Sequence, residues 1–230
     1  MKIAVLGLPD FPPGKKNLVD PRLNTLEGLI KPSKVTYLNL ELLEAVNLKD
    51  ADGIICEKDS KLDLVIQDLE AAENRLARLK EGEDNQLFLR VKEILEKNKC
   101  LCEENFSEEE RKMLLNYNFV SPKPTFFVNK NDNKSAQEII FESYYFLGMI
   151  CFITGAKDKE LKAWPIKKGA TAFDAAGVIH SGIQKKFIKA EIIGYEDVLK
   201  AGGLNQAKQY MHLEGKEYVM QDADLLNVRT

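Results

Sequence analysis

Long apolar runs, paired metal ligands and a large net charge are all missing from this 230-residue chain, and each absence closes off a class of function. Nothing approaches the roughly 20 apolar residues of a membrane-spanning helix, so no membrane partner is expected. Residues 1–10 hold one lysine and a short apolar run that ends at Gly-Leu-Pro, without the small-residue cleavage site of a secretory signal. A cytoplasmic location is expected. Histidine is scarce, with only His180 and His212. Of the four cysteines (56, 100, 102 and 151) only Cys100 and Cys102 are close, and their spacing is not the pair-and-pair pattern of a zinc site. Reduced thiols and no metal are the expectation. No nucleophile and base stand together in sequence, so no catalytic residue is nominated. The net charge of −3 argues against a whole-chain polyanion binder, and no DNA partner is expected. That charge is uneven. Residues 155–230 carry 12 Lys/Arg against 10 Asp/Glu, a balance of +2, which leaves −5 on the rest.

What is present reads as an ordinary globular chain, 44% hydrophobic and 30% charged. Residues 2–7 form a continuous apolar run, the mark of a parallel strand covered on both faces. Residues 9–34 read as a loop with a short helical turn at 23–30. Further strands are expected at 35–40 and 52–56. Apolar positions 62, 65, 66, 69, 72, 76 and 79 recur at three and four, one face of a long helix. Residues 81–85 break it and 87–95 resume it, which predicts an antiparallel helical hairpin over 60–98. Ser107 with Glu110 is a capping box that opens another helix. Strands at 125–128 and 149–154 flank a helix near 136–144. Beyond a boundary near 155–158, strands at 161–166, 187–193, 217–220 and 224–228 surround a helix over 171–179, a β-rich module of ubiquitin size.

Several segments in order resemble the YchF/Obg-like ATPase family. They are residues 2–9, Asp20-Pro-Arg-Leu23, residues 29–35 and residues 69–76. The most specific are C-terminal: Ala163-Trp-Pro-Ile-Lys-Lys-Gly169, residues 175–180, residues 187–191 and Gln221-Asp222. The resemblance implies an α/β chain. A reduced P-loop GTPase-like parallel sheet (1–59 and 116–154) with an inserted helical hairpin or coiled coil (60–115) would precede a C-terminal ubiquitin-like β-grasp, TGS-like domain (155–230).

The phosphate-binding parts of that family are not evident. A P-loop needs glycines at both ends of a four-residue spacer, so that backbone N–H groups wrap a phosphate, followed by Lys and Ser/Thr. Here six residues lie between Gly7 and Gly14, Pro12 and Pro13 carry no N–H, and Lys16 follows Lys15. The metal-binding Asp-x-x-Gly falls on Asn39 and Leu42. A remnant points the other way: Asn129, Lys130 and Asp132 spell Asn-Lys-x-Asp, the guanine-reading motif, directly after an expected strand. In the C-terminal module, Lys167, Lys168, Lys185, Lys186 and Lys189 are positioned to give phosphate contacts along one face, with His180 at a helix end. The module departs from its family at Gly182, Ile183, Lys186 and Ala223. The expectation is therefore a non-catalytic protein that binds RNA or the ribosome through residues 155–230, with no cofactor. One alternative is a nucleotide-binding protein that takes GTP or ATP with Mg²⁺ through Asn129, Lys130 and Asp132. The other is a protein-interaction module built on the hairpin.

Overall fold

A computed structural model describes residues 1–79, 85–156 and 158–230. Its contacts divide the chain into two units, Met1–Lys16 with Leu40–Ile139, and Asn17–Asn39 with Ile140–Thr230. The chain therefore crosses between them three times. A boundary at 155 leaves residues 17–39 and 140–154 with the first unit. The structure groups them with the second, because strands from both segments hydrogen-bond into its sheet.

The first unit is built on a five-stranded sheet. Strands β1 (Lys2–Leu6), β2 (Gly14–Leu18), β4 (Leu38–Leu43), β5 (Gly53–Glu57) and β6 (Thr125–Val128) take the order β2-β4-β1-β5-β6. β1 runs parallel to β4 and β5, and β5 parallel to β6, with Ile3 opposite both Leu42 and Gly53. Ile3, Ala4, Ile54 and Ile55 are wholly buried, as two-faced coverage requires. The strand expected at 35–40 is in fact two. β3 (Lys34–Thr36) and β4 join different sheets, and the break falls at Tyr37. β2 is a strand where a loop was expected. Between β4 and β5, a 3₁₀ turn at Ala45–Asp50 is held by the Lys123 ammonium, which donates to the carbonyls of Leu48, Lys49 and Ala51 at 2.8, 2.6 and 2.7 Å. Burial pushes the Lys123 pKa down.

Helices α2 (Lys61–Ala77) and α3 (Gln86–Glu96) pack on one another. Lys92 reaches Glu73, and Arg75 lies over the Phe88 ring, so the two run antiparallel as expected. The break expected at 81–85 lies almost wholly outside the described residues. The buried stripe of α2 is rotated from the expected one. Leu62 and Ile66 are 48% and 55% exposed, while Leu64, Val65, Asp68 and Ala72 are buried. The reason is Asp68. Its carboxylate accepts from the backbone N–H groups of Val120 and Ser121 at 2.7 and 2.8 Å, and so turns a charged residue inward beside α4 (Glu108–Asn116) and the turn that follows it. Ser107 and Glu110 cap α4 reciprocally, as the sequence predicts.

The second unit is a six-stranded sheet in the order β10-β9-β11-β7-β8-β3. β7 (Met149–Thr154) and β8 (Glu160–Lys167) form an antiparallel hairpin, and α6 (Ala172–Ile179) and α7 (Ser181–Lys185) follow. β9 (Lys189–Ile193) and β10 (His212–Glu214) pair antiparallel, and β11 (Asp224–Arg229) returns through the centre, parallel to β7 and antiparallel to β9. That is β-grasp topology, and β3 is added at the edge of β8. Ala172, Ala175 and Ala176 let α6 sit close on Phe152, Ile166, Ala190, Ile192 and Leu226. The strand expected at 217–220 reduces to one bridge, Val219 to Thr171. His212 opens a short edge strand, and α8 (Tyr195–Ala201) and α9 (Leu204–Ala207) are additional.

Helix α1 (Pro21–Ile30) belongs to this unit; it buries Leu23, Leu26 and Ile30, and Arg22 adds the polar ties. Asp20 caps α1 by accepting from Arg22 N at 2.9 Å. The Arg22 guanidinium then donates to Asp20 at 2.7 Å, to Asp222 at 2.6 Å and to Tyr145 Oη at 2.5 Å. Asp222 in turn accepts from Cys151 N in β7 at 3.0 Å. Burial weighs against the Arg22 cation, but its two carboxylates outweigh that cost and raise its pKa, while burial pushes the Cys151 thiol up as well.

Two stability measurements test these assignments. Asp68→Ala leaves two buried N–H groups without acceptors and is expected to cost about 2–4 kcal/mol. Chemical denaturation reads this, and hydrogen exchange at Val120 and Ser121 should accelerate with it. Unchanged exchange would show that the carboxylate does not hold that turn. Arg22→Ala should cost the second unit about 2–4 kcal/mol, below the range for a fully buried pair because the cluster is part-exposed. Trp164, the sole tryptophan, lies in β8 and reports the transition. Arg22→Lys should recover little, since an ammonium lacks the planar fork that spans both carboxylates.

Candidate functional site

In an open parallel sheet, ligands are taken at the carboxyl ends of the strands. Those ends bring together, in the first unit, Gly7 after β1, Glu44 after β4, Glu57 to Ser60 at the end of β5, and Asn129 to Asp132 after β6. Gly7 has φ +77°, and a Cβ there would stand 2.2 Å from Ser60 Oγ and 2.9 Å from Glu57 Cβ. Only glycine lets the chain pass so close to the end of β5. From Gly7 the chain runs through Pro9, Pro12 and Pro13 into the edge strand β2. Gly14 and Lys15 therefore open a strand. A phosphate loop instead delivers the chain to a helix N-terminus, where free N–H groups face the anion.

Asn129, Lys130, Asp132, Glu57 and Asp59 pair with one another at this edge. The Asp132 carboxylate accepts from Asn129 N at 3.3 Å and lies 3.4 Å from the Asn129 side-chain amide, and Asp132 N donates to Asn129 O at 3.1 Å. Lys130 places its ammonium 3.6 Å from Glu57 and 3.9 Å from Asp59. Glu57 is buried and also accepts from Asp59 N at 3.0 Å. Asn129, Lys130 and Asp132 thus form a self-bonded turn at the edge where a base would dock. Asn39 does not reach this edge. It is the second residue of β4, and the acidic group that follows the strand's carboxyl end is Glu44. The pairing of Asn39 and Leu42 with a metal-binding motif is corrected accordingly: the β1–β4 register sets Leu42 opposite Ile3, within the sheet.

Lys167, Lys168, Lys185, Lys186 and Lys189 are all exposed but do not line one face together. Lys167 lies opposite Met149, at the start of β7, and Lys168 N donates to Gly148 O at 2.8 Å. Lys189 lies opposite Arg229 at the far end of β11. Asp224 pairs with Phe152, so the two ends are about eight strand positions, or roughly 25 Å, apart. Lys185, Lys186 and Lys189 follow one another from the end of α7 into β9, with Arg229 beside them. His180 caps α7, its Nδ1 accepting from Gly182 N at 3.0 Å. A Cβ at position 182 would stand 2.9 Å from that nitrogen, which accounts for the glycine. Sequence reasoning assigned no role to Arg22, Asp20 or Asp222, although both segments that carry them were singled out. Their signal was that two family-like segments 200 residues apart each hold an acid, with an arginine in one of them.

Comparison with known proteins matches these features. A family model, YchF-GTPase_C, described as a protein of unknown function (DUF933), matches residues 149–230. The ribosome-binding ATPase YchF of Bacillus subtilis is 28% identical over 235 residues, covering 73% of this chain and 64% of that protein. The chain therefore spans less than two thirds of that relative. The ribosome-binding ATPase YchF of Haemophilus influenzae is 24% identical over 314 residues, covering 91% of this chain and 86% of its own length. An alignment longer than the chain itself opens large gaps opposite the relative. The corresponding protein of Haemophilus ducreyi is 42% identical over 93 residues, covering 40% of this chain and 25% of its own. The structure of the Schizosaccharomyces pombe YchF GTPase superposes with a TM-score of 0.74 at 18% identity, over 96% of this chain and 88% of that one. In its C-terminal domain, its relatives and its fold, this chain is similar to the YchF proteins.

Proposed function

We propose that this protein docks on RNA or the ribosome through its β-grasp unit and does not hydrolyse nucleotide by the usual P-loop route. The observation that carries the reading is the distribution of likeness. Identity rises to 42% in a 93-residue segment, whereas the run from β1 leads into an edge strand. Relatives are named as ribosome-binding ATPases, and the segment that the family model matches, residues 149–230, is not the phosphate-binding part. A triphosphate at the carboxyl edge of the first sheet would meet Glu44, Glu57 and Asp59 without a glycine-rich loop to hold it. Lys185, Lys186, Lys189 and Arg229 supply the basic group on the second unit that phosphate contacts require.

A second reading keeps guanine recognition, because Asn129, Lys130 and Asp132 stand at the ligand-bearing edge of a parallel sheet. One pair of experiments separates them. Co-sedimentation with ribosomes should weaken steeply with salt, and Lys185→Glu with Lys186→Glu and Lys189→Glu should flatten the slope of log affinity against log salt by about 2. These residues are exposed, so the unfolding midpoint should not move. Salt-insensitive sedimentation, or indifference to the charge reversal, would count against the RNA reading. Thermal unfolding with millimolar ATP, GTP or GDP and Mg²⁺ should show no shift, whereas a ligand at 100 times its Kd adds about 2.7 kcal/mol. A guanine-specific shift lost in Asp132→Ala would establish the second reading instead.

A further inference from the structure

Three of the four cysteines converge in the first unit, and nothing described above uses them. Cys56 lies in β5, and Cys100 and Cys102 flank the first residue of a 3₁₀ turn at Leu101–Glu103. Cys56 and Cys100 are buried in the core, while Cys102 is partly exposed. The Cys100 thiol points to Lys61 O at 4.0 Å, and the Cys100 and Cys102 thiols influence each other's titration. The turn that holds them is pinned. Cys100 N donates to Glu103 Oε2 at 2.9 Å, and Leu101 N to Ser121 Oγ at 3.1 Å. Lys61 is anchored to Glu103 at 2.6 Å, and its charge acts on both Cys56 and Cys100.

We propose that Cys100 and Cys102 are a reversible dithiol oxidised by hydroperoxides, with Cys102 as the attacking sulfur and Cys100 as its resolving partner. Access and proximity both favour this division of roles. Only Cys102 of the three is reachable from solvent, and the thiol it would bond, Cys100, is two residues away at the cap of the same turn. Residues two apart in a tight turn have Cα atoms about 5–6 Å apart, inside the range a disulfide spans. The mutual influence of the two thiols holds Cys102 below its ordinary value and Cys100 above it. Burial pushes Cys56 up to about 12, so it stays a thiol. The reactive species is the thiolate, which singles out Cys102.

The chemistry balances without a metal or cofactor. The Cys102 thiolate attacks the outer oxygen of the hydroperoxide. The O–O bond breaks, and the departing hydroxide or alkoxide takes a proton from water. Cys102 is then a sulfenic acid. The Cys100 sulfur attacks it, the S–O bond breaks as the S–S bond forms, and the Cys100 proton leaves with the hydroxyl as water. Two electrons pass from the two sulfurs to the peroxide. An external thiol restores the pair by exchange.

The test uses the full chain and equimolar hydrogen peroxide, followed by alkylation under denaturing conditions and trypsin. Cleavage after Lys99 and Arg111 releases both cysteines in one peptide, residues 100–111. The expected result is loss of two hydrogens from that peptide, reversed by dithiothreitol, with Cys56 and Cys151 still alkylated. In Cys100→Ser the sulfenic acid should persist at Cys102 and be trapped by dimedone. An unchanged peptide, a Cys56–Cys102 cross-link, or oxygen gained at Cys102 without the loss of hydrogens would overturn the proposal. The wild-type mass decides the matter if the variant does not fold.

Discussion

The second unit depends on a single guanidinium. Arg22 is on the first turn of α1, yet its partners come from three places: Asp20 at the helix cap, Tyr145 on α5 (Ala136–Phe146) and Asp222 before β11. Asp222 passes the constraint on by accepting from the backbone of β7. One planar cation thus fixes the entry of α1, the start of the central returning strand and the first strand of the hairpin at once. A partly buried cation costs several kcal/mol of lost hydration, and two carboxylates, Asp20 bidentate and Asp222 through one nitrogen, offset it. The arrangement is specific because a guanidinium presents its donors in one plane, and the two acids must meet that plane from different sides.

In the first unit the governing constraint is steric. Gly7 passes so near Ser60 and Glu57 that the chain beyond β1 is committed to a narrow route, and prolines stiffen that route before β2 begins. The sheet keeps the parallel order in which α/β proteins place ligands, but the groups at its carboxyl edge are paired with one another. Lys130 answers Glu57 and Asp59, and Asp132 answers Asn129. Such mutual satisfaction lowers the free energy of the unliganded state, and a ligand would have to displace it.

Much of this was legible from residues alone, for identifiable reasons. Residues 2–6, 125–128 and 149–154 are short apolar runs whose burial leaves few alternatives, and Ser107 with Glu110 names a helix start by its hydrogen bonds. Periodicity misjudged α2 because it counts apolar residues, whereas the buried face is set by an aspartate whose acceptors serve a turn 52 residues away. β2 reads Gly-Lys-Lys-Asn-Leu, a polar edge strand without a hydrophobic pattern, so sequence showed a loop. Residues 35–40 looked like one strand because local propensity says nothing about which sheet each half joins. The lysines looked like one face for the same reason, since only the register of β9 against β11 reveals that Lys189 and Lys167 end at opposite edges.

The threefold crossing between units has a consequence for the order of synthesis. Asp222 is separated from Arg22 by 200 residues, and the ribosome adds about 5–20 residues per second. For roughly 10–40 seconds, then, α1 exists in a nascent chain whose Asp222 and β11 have yet to be made. The first unit can complete its sheet well before, once residue 128 has emerged. A piece beginning at residue 149 would lack the strand that covers the edge of β8 and the arginine that answers Asp222. Residues 149–230 therefore complete their sheet edge and their ion pair only with a segment, residues 17–39, that was made well before them.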